Sequence, residues 1–223
     1  PITAYTVQVS RCEDFSTANV ACESCQADIN AISVNDGLMM TVHPRMDSSL
    51  SFKVPADEMD ARFDTNMQPA MMRRRVPGLL TNSKLKTMLP RTEQVGLLYE
   101  GFLNVDVDGE YTFGIAADDS ADIQVANETV ASRDNWGWDI VPGRNIFLRA
   151  GLHLFRARCI QGGGGLGVLA YWKTPFEPST FSHIPDSYFR ASRLPGLFEY
   201  PFDFPVTDSP SLFVYEGLFY YYK

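Results

Sequence analysis

The chain has 223 residues, 45% of them hydrophobic and 21% charged, with 16 Gly and 14 Pro. That is a globular, turn-rich composition, enough for one ordinary domain with appendages or two small ones, and neither disordered nor collagen-like. A formal charge of −8 argues against nucleic acid as a main partner, and no apolar run is long enough for a transmembrane helix.

The chain opens on Pro1 without an initiator Met or signal peptide, which implies a processed protein or a piece of a longer one. Residues 3–9 alternate loosely, as a strand does. Cys12, Cys22 and Cys25 then crowd together with the spacing C-x9-C-x2-C, predicting a disulfide-stapled segment over residues 1–34. The fourth cysteine, Cys159, is either paired to that cluster or buried as a free thiol. Zinc is disfavoured, because a structural site wants four clustered ligands and His43, His153 and His183 are scattered. Residues 37–43 and 49–54 read as strands, and residues 55–63 (PADEMDARF) as a short helix with Pro in its first turn and acids behind it. Residues 64–92 read as irregular, and the triplet Arg73-Arg74-Arg75 as a solvated loop or strand edge.

Strand signals sharpen from residue 95. Residues 96–107 form one strand, and Asp108-Gly109 has the turn chemistry of a tight hairpin into the next. On that return strand Tyr111, Phe113 and Ile115 share a face. A second hairpin joins Ile123 and Val125 to Thr129–Ala131 across a tip at Asn127-Glu128. The sequon Asn127-Glu128-Thr129 thus makes Asn127 a glycosylation candidate on an exposed tip, and with the Cys cluster it implies an extracellular setting. Residues 144–149 and 152–160 follow, joined by Ala150-Gly151, with Phe155, Ala157 and Cys159 on one core-facing side. A four-glycine run, Gly162–Gly165, precedes the strand 166–172. Short strands punctuated by glycine and Asp-Gly turns predict an all-β sandwich or barrel. Residues 191–223, with Pro195, Pro201, Pro205 and Pro210 and an aromatic end, read as an extended tail or the start of a further domain.

No catalytic motif stands out: there is no G-x-S-x-G elbow, HExxH, P-loop or dinucleotide fingerprint. The expected class is therefore non-enzymatic. Asp118-Asp119 is the chemically distinctive pair, set between two apolar strands. Neighbouring side chains of a regular strand point to opposite faces, so two such carboxylates grip one ion only where the peptide between them is distorted, for instance cis. Ca²⁺, which takes 6–8 oxygen ligands in flexible geometry, suits that arrangement; the plain alternative is an acidic turn.

The stretches GEYTFGIAADDSADIQV, ASRDNWG and RAGLHLFRARCIQGGGGLGVLAYW resemble the protective-antigen-type (PA-fourteen) domain. The resemblance is carried by Gly101-Phe102-Leu103, Gly109–Phe113, Asp118-Asp119-Ser120, Asp134–Gly137, Ala150–His153 and Gly162–Gly165, in the family's order. It implies a β-sandwich-like barrel over residues 35–190, with the N-terminal segment 1–34 and the tail 191–223 outside it. In lectin members of the family the Asp-Asp corner is cis and holds Ca²⁺, which in turn holds sugar hydroxyls. Carried onto this chain, the resemblance implies metal ligation by Asp118, Asp119 and Gln161 with backbone carbonyls around Gly163 and Gly165. It implies carbohydrate contacts from Asp118, Asp119, Gln161 and Trp138, the last by stacking, while Trp136 fills the core. Two readings follow: a Ca²⁺-dependent, carbohydrate-binding surface module, or a structural module among neighbouring subunits in an extracellular or surface assembly, with at most a structural Ca²⁺.

Overall fold

The structure, a computed structural model, describes residues 8–10, 34–47, 49–192, 211–215 and 218–222. The chain divides into two compact units, Val34–Ala191 and a second one drawn from both termini. In chain order the first strands are β1 (Gln8–Ser10), β2 (Val34–Asp36) and β3 (Leu38–Pro44), followed by helix α1 (Met59–Asn66) and β4 (Met72–Val76). Helix α2 (Asn82–Met88) precedes β5 (Val95–Val105), β6 (Gly109–Asp118), β7 (Ser120–Val125) and β8 (Glu128–Arg133). Then come β9 (Gly137–Leu148), β10 (Gly151–Gln161), β11 (Gly167–Lys173), β12 (Ser182–His183) and β13 (Phe189–Ser192). The terminal unit contains β1, β14 (Ser211–Tyr215) and β15 (Leu218–Tyr222), an antiparallel sheet ordered β1-β15-β14. Cys12, Cys22 and Cys25, and most of the predicted N-terminal strand and tail, lie outside the described residues.

Unit Val34–Ala191 is an antiparallel sandwich and not a closed barrel. Its larger sheet runs β2-β13-β5-β10-β7-β8, with β3 also on β5 and β4 on β3; the smaller runs β12-β11-β6-β9. The long strand β5 is shared on one side by two partners, β3 along Val95–Glu100 and β13 at Phe102-Leu103. Alternation explains the core. Tyr111, Phe113, Ile115 and Ala117 of β6 and Val168, Ala170 and Trp172 of β11 face Leu97, Tyr99, Ile123, Phe155, Ala157 and Cys159 of the larger sheet in one buried cluster. Each large side chain buried this way contributes roughly 1.5–3 kcal/mol.

The opposite face of the larger sheet carries a smaller cluster, Val54, Met59, Phe63 and Ile160. There α1 lies over the sheet. Arg158, buried on that face, donates to both Asp122 oxygens (2.9 and 2.6 Å) and pairs with Asp60 on the helix. The helix occupies the predicted place, with a 3-10 turn at Ala56–Glu58 leading into it.

Several expectations are corrected. Residues 49–54 form no strand; their polar groups are met by side chains, Leu50 O by Arg45 and both Phe52 O and Val54 N by the Ser120 hydroxyl. Asp108-Gly109 is not a hairpin turn, because β5 and β6 lie in different sheets and the chain crosses between them there. Asp108 instead accepts the Ala150 N–H (2.7 Å), tying this crossing to the β9–β10 crossing at the same end. Residues 64–92 are more ordered than expected, holding β4 and α2. Arg73, Arg74 and Arg75 are exposed on β4, which among the described residues pairs only with β3 and so is an edge strand. The β7–β8 hairpin is present, but its tip is Ala126-Asn127, one residue earlier than expected, with φ +52° and +65°, the left-handed pair of a type I′ turn, and Glu128 already pairs with Val125.

Asp122→Ala, which strips a carboxylate from buried Arg158, is expected to cost about 3–5 kcal/mol in urea unfolding. Asp60→Ala, at a partner that is 72% exposed, should cost under about 1 kcal/mol. Glu100 supplies a pH test. Burial raises its carboxyl above the ordinary 4.5, with Arg156 pulling the other way. A folded-state pKa above the unfolded one contributes stability below the unfolded value, and that contribution is lost as pH rises through the raised one. Wild type should therefore lose stability from pH 4 upward relative to Glu100→Gln, measured by melts at stepped pH.

Candidate functional site at the Asp118-Asp119 corner

Three crossings between the sheets gather at the end opposite Asp108. They are β6 to β7 at Asp118-Asp119, β8 to β9 through Asp134–Trp136, and β10 to β11 through Gly162–Leu166. The ladders place them side by side. Asp118 pairs with Gly167 in the smaller sheet, and Ser120 pairs with Ile160 in the larger, so both strand pairs leave their sheets at the same level. On the other flank Gly137 pairs with Ala117 and Arg133 with Ala121. The Asp-Asp corner is thus the middle crossing of three.

The Asp118–Asp119 peptide is cis, and the two carboxyl groups lie within hydrogen-bonding reach of each other. Asp119 is buried, and its Oδ2 accepts the Gly162 N–H (2.8 Å). Burial pushes the Asp119 carboxyl up, and the Asp118 carboxylate adds to that, while the Gly162 N–H and Arg45 pull it down. Gly165 backs onto Asp118 so closely that a Cβ there would sit 2.2 Å from Asp118 Oδ2. Cys159 Sγ reaches the Asp118 carbonyl at 3.4 Å, and burial raises its thiol pKa, so it is a protonated, inert core group. It is free, the second of its two sequence readings.

Gln161 follows Ile160 and so lies level with Asp119, on the same face of β10 as Cys159. It is fully buried, and neither its amide oxygen nor its amide nitrogen has a partner. Buried polar groups nearly always have one, which sets this amide apart from the other polar groups of the core. The ladder thus sets Gln161 level with Asp119, and Gly165 packs on Asp118. Gly163 is exposed, with only the Glu93 carboxyl carbon near its Cβ direction (3.9 Å). Among the described residues no three His, Cys, Asp or Glu side chains cluster as a metal site. Any ion here would need amide and carbonyl oxygens beside the two carboxylates, a donor set that fits a hard cation.

Trp138 is 43% exposed, and its ring edge lies over Gly167, the partner of Asp118. Trp136 does not fill the core; it is 63% exposed, because its loop projects from the sandwich end. Asn127 is exposed at its hairpin tip, away from the corner crossings. His153 is structural, its Nε2 on the Arg149 carbonyl (2.7 Å).

Sequence reasoning missed the scaffold of the glycine loop. Gln94, at φ +54°, binds the Gly162 carbonyl through both its backbone N–H (3.0 Å) and its amide (2.9 Å), and accepts from buried Arg45 (3.0 Å). Phe52 packs on Gly162. No local pattern in the sequence marks these long-range partners.

Residues 83–148 match the family model of the PA14 domain, a span that includes both aspartates and both exposed tryptophans. No curated protein matches the chain. Among solved structures, the PA14 domain of the MpAFP antifreeze protein is 16% identical, with TM-score 0.54, covering 71% of this chain and 92% of that one. The Epithelial Adhesin 6 A domain from Candida glabrata, solved with Galβ1-3GlcNAc, is 14% identical (TM-score 0.54; 73% and 90% covered). Its Epithelial Adhesin 9 counterpart, solved with Galβ1-4GlcNAc, is 11% identical (TM-score 0.51; 72% and 91% covered). At such identities the likeness is one of fold: residues Val34–Ala191 have the PA14 fold.

Gly165→Ala tests the packing at the corner. The Asp118 carboxyl, on a side chain free to rotate, should swing away while the fold stays within about 1 kcal/mol of wild type. Carboxyl-carbon NMR would show the Asp118 signal moved and that of buried Glu100 unchanged.

Proposed function

We propose that this chain, which carries a PA14 domain, is an extracellular or surface carbohydrate-binding module that uses Ca²⁺ at the Asp118-Asp119 corner. The carrying observation is that two adjacent carboxylates, the close backbone of Gly165 and the buried, unpartnered amide of Gln161, level with Asp119 in the ladder, belong to the same end of the sandwich. Two carboxylates this close repel, and a divalent cation relieves that repulsion while the Gln161 oxygen supplies a neutral ligand. Bound there, Ca²⁺ would offer open positions to vicinal sugar hydroxyls. The chain's own part is to hold the ligands: Gly162 N–H fixes one Asp119 oxygen, and Gln94 fixes the glycine loop that carries Gly165. Trp138, leaning on Gly167 beside Asp118, supplies an apolar wall for a sugar face.

The fold neighbours solved with galactosyl disaccharides support a glycan as partner, and an acidic chain without catalytic motifs suits binding better than turnover. A second reading has its own support: Asp119 and Gln161 are both buried, as expected of an ion that braces three crossings in an assembly module whose partners are neighbouring subunits.

A glycan array probed with the chain in calcium, then in excess chelator, separates these readings. We expect calcium-dependent binding to a coherent set of sugars, abolished in Asp118→Ala and Asp119→Ala. Melting that rises in calcium without any glycan bound would assign the corner a structural ion. Identical melting in calcium and chelator would remove the metal altogether.

A further inference from the structure

The outer edge of the larger sheet carries a charge pattern that the corner does not use. β10, which holds Gln161, pairs with β5, β5 with β3, and β3 with β4, so β4 is three places removed from it. Among the described residues nothing pairs with the far side of β4. An edge of this kind presents backbone N–H and C=O groups in a row, a template for one further strand.

Arg73, Arg74 and Arg75 fill the middle of that edge and are exposed, in a chain whose formal charge is −8. Directly across from them β3 offers Thr41, Met40 and Met39, none of them an acid. The Arg73 charge reaches the buried Glu100 carboxyl. The guanidinium groups of Arg74 and Arg75 have neither a hydrogen bond nor an ion pair among the described residues. Every other described arginine has a partner.

Charge on an edge strand deters pairing with a like strand. A second copy of β4 laid against the first would set arginine against arginine, so the edge rejects its own kind. Alternation indicates what it accepts. Arg73 and Arg75 stand on one face of the sheet and Arg74 on the other. An anionic surface lying on either face meets one set only. A strand added at the edge meets both, because its own successive side chains alternate in the same way. Successive carboxylates on that strand match successive arginines on β4.

We infer that the outer edge of β4 is a docking site for an acidic, extended segment of another protein, which adds to the sheet as a strand and pairs its carboxylates with Arg74 and Arg75. Backbone bonds supply the affinity of such an addition, and the side chains select the partner. The site works without calcium or glycan.

The test titrates the full chain, by fluorescence anisotropy, with a labelled valine- and threonine-rich peptide that carries three successive glutamates. Three further probes accompany it: the same peptide with lysines for glutamates, the acidic peptide N-methylated at alternate amides, and heparin. Wild type should bind the acidic peptide, more weakly as salt rises, and ignore the lysine form. The N-methylated form keeps the charge but cannot complete a ladder, and should bind about tenfold more weakly. The double variant Arg74→Glu/Arg75→Glu should lose about tenfold for the acidic peptide and gain the lysine one. Both positions are exposed, and melts check that the variant folds. Equal binding of the two acidic forms overturns the added strand. Heparin bound in place of the peptide assigns the arginines to a polyanion and overturns the protein partner. No acidic peptide bound by wild type overturns the site and leaves the arginines as guards of the edge.

Discussion

The site depends on one constraint, the shared level at which two neighbouring strand pairs change sheets. Asp118 faces Gly167 and Ser120 faces Ile160, so the β6–β7 and β10–β11 crossings are stacked and cannot slide independently. The register that stacks them is held by the core. Phe113, Ile115 and Ala117 alternate inward on β6, as do Val168, Ala170 and Trp172 on β11 and Ala157 and Cys159 on β10. A one-residue slip of any of these strands would turn its apolar set outward. Core residues along the whole length of these strands therefore determine where its carboxylates stand.

Two polar clusters on this domain show how differently buried charge can be treated. Arg158 and Asp122 are both buried, but their hydrogen bonds close on each other and on Asp60, leaving nothing for a ligand. At the corner the pairing stops short. Gly162 N–H serves one Asp119 oxygen and Gln94 serves Gly162, yet Arg45 Nε and both ends of the Gln161 amide remain without partners. A network half satisfied costs more than one left apolar, and such groups are retained where something else completes them. The contrast makes the corner, and not the better-formed ion pair, the chemically open place.

Much of this was readable in the sequence, and what was not has a common cause. Alternation located the strands around Tyr111–Ile115 and Phe155–Cys159 correctly, and two adjacent aspartates between apolar runs marked the corner before any fold was known. Alternation does not say which sheet a strand joins. Asp108-Gly109 carries hairpin chemistry, yet the chain crosses sheets there, and SLSFKV alternates, yet the Ser120 hydroxyl satisfies its backbone in place of a neighbouring strand. The scaffold of Arg45, Gln94 and Gly162 spans over a hundred positions and leaves no local signature.

Trp136 is the instructive miss. The family resemblance implies a core plug at the Asp-Asn-Trp-Gly turn, and burying an indole is worth more than exposing one. What decides the matter is Arg133, which spends its donors on the loop's own carbonyls and so holds the backbone in a course that leaves the ring outside. A loop fixed before a ligand arrives loses little conformational freedom on binding, whereas a mobile aromatic would first have to be ordered. The guanidinium that keeps Trp136 out of the core thereby leaves a rigid ring exposed beside the crossing that carries the two aspartates.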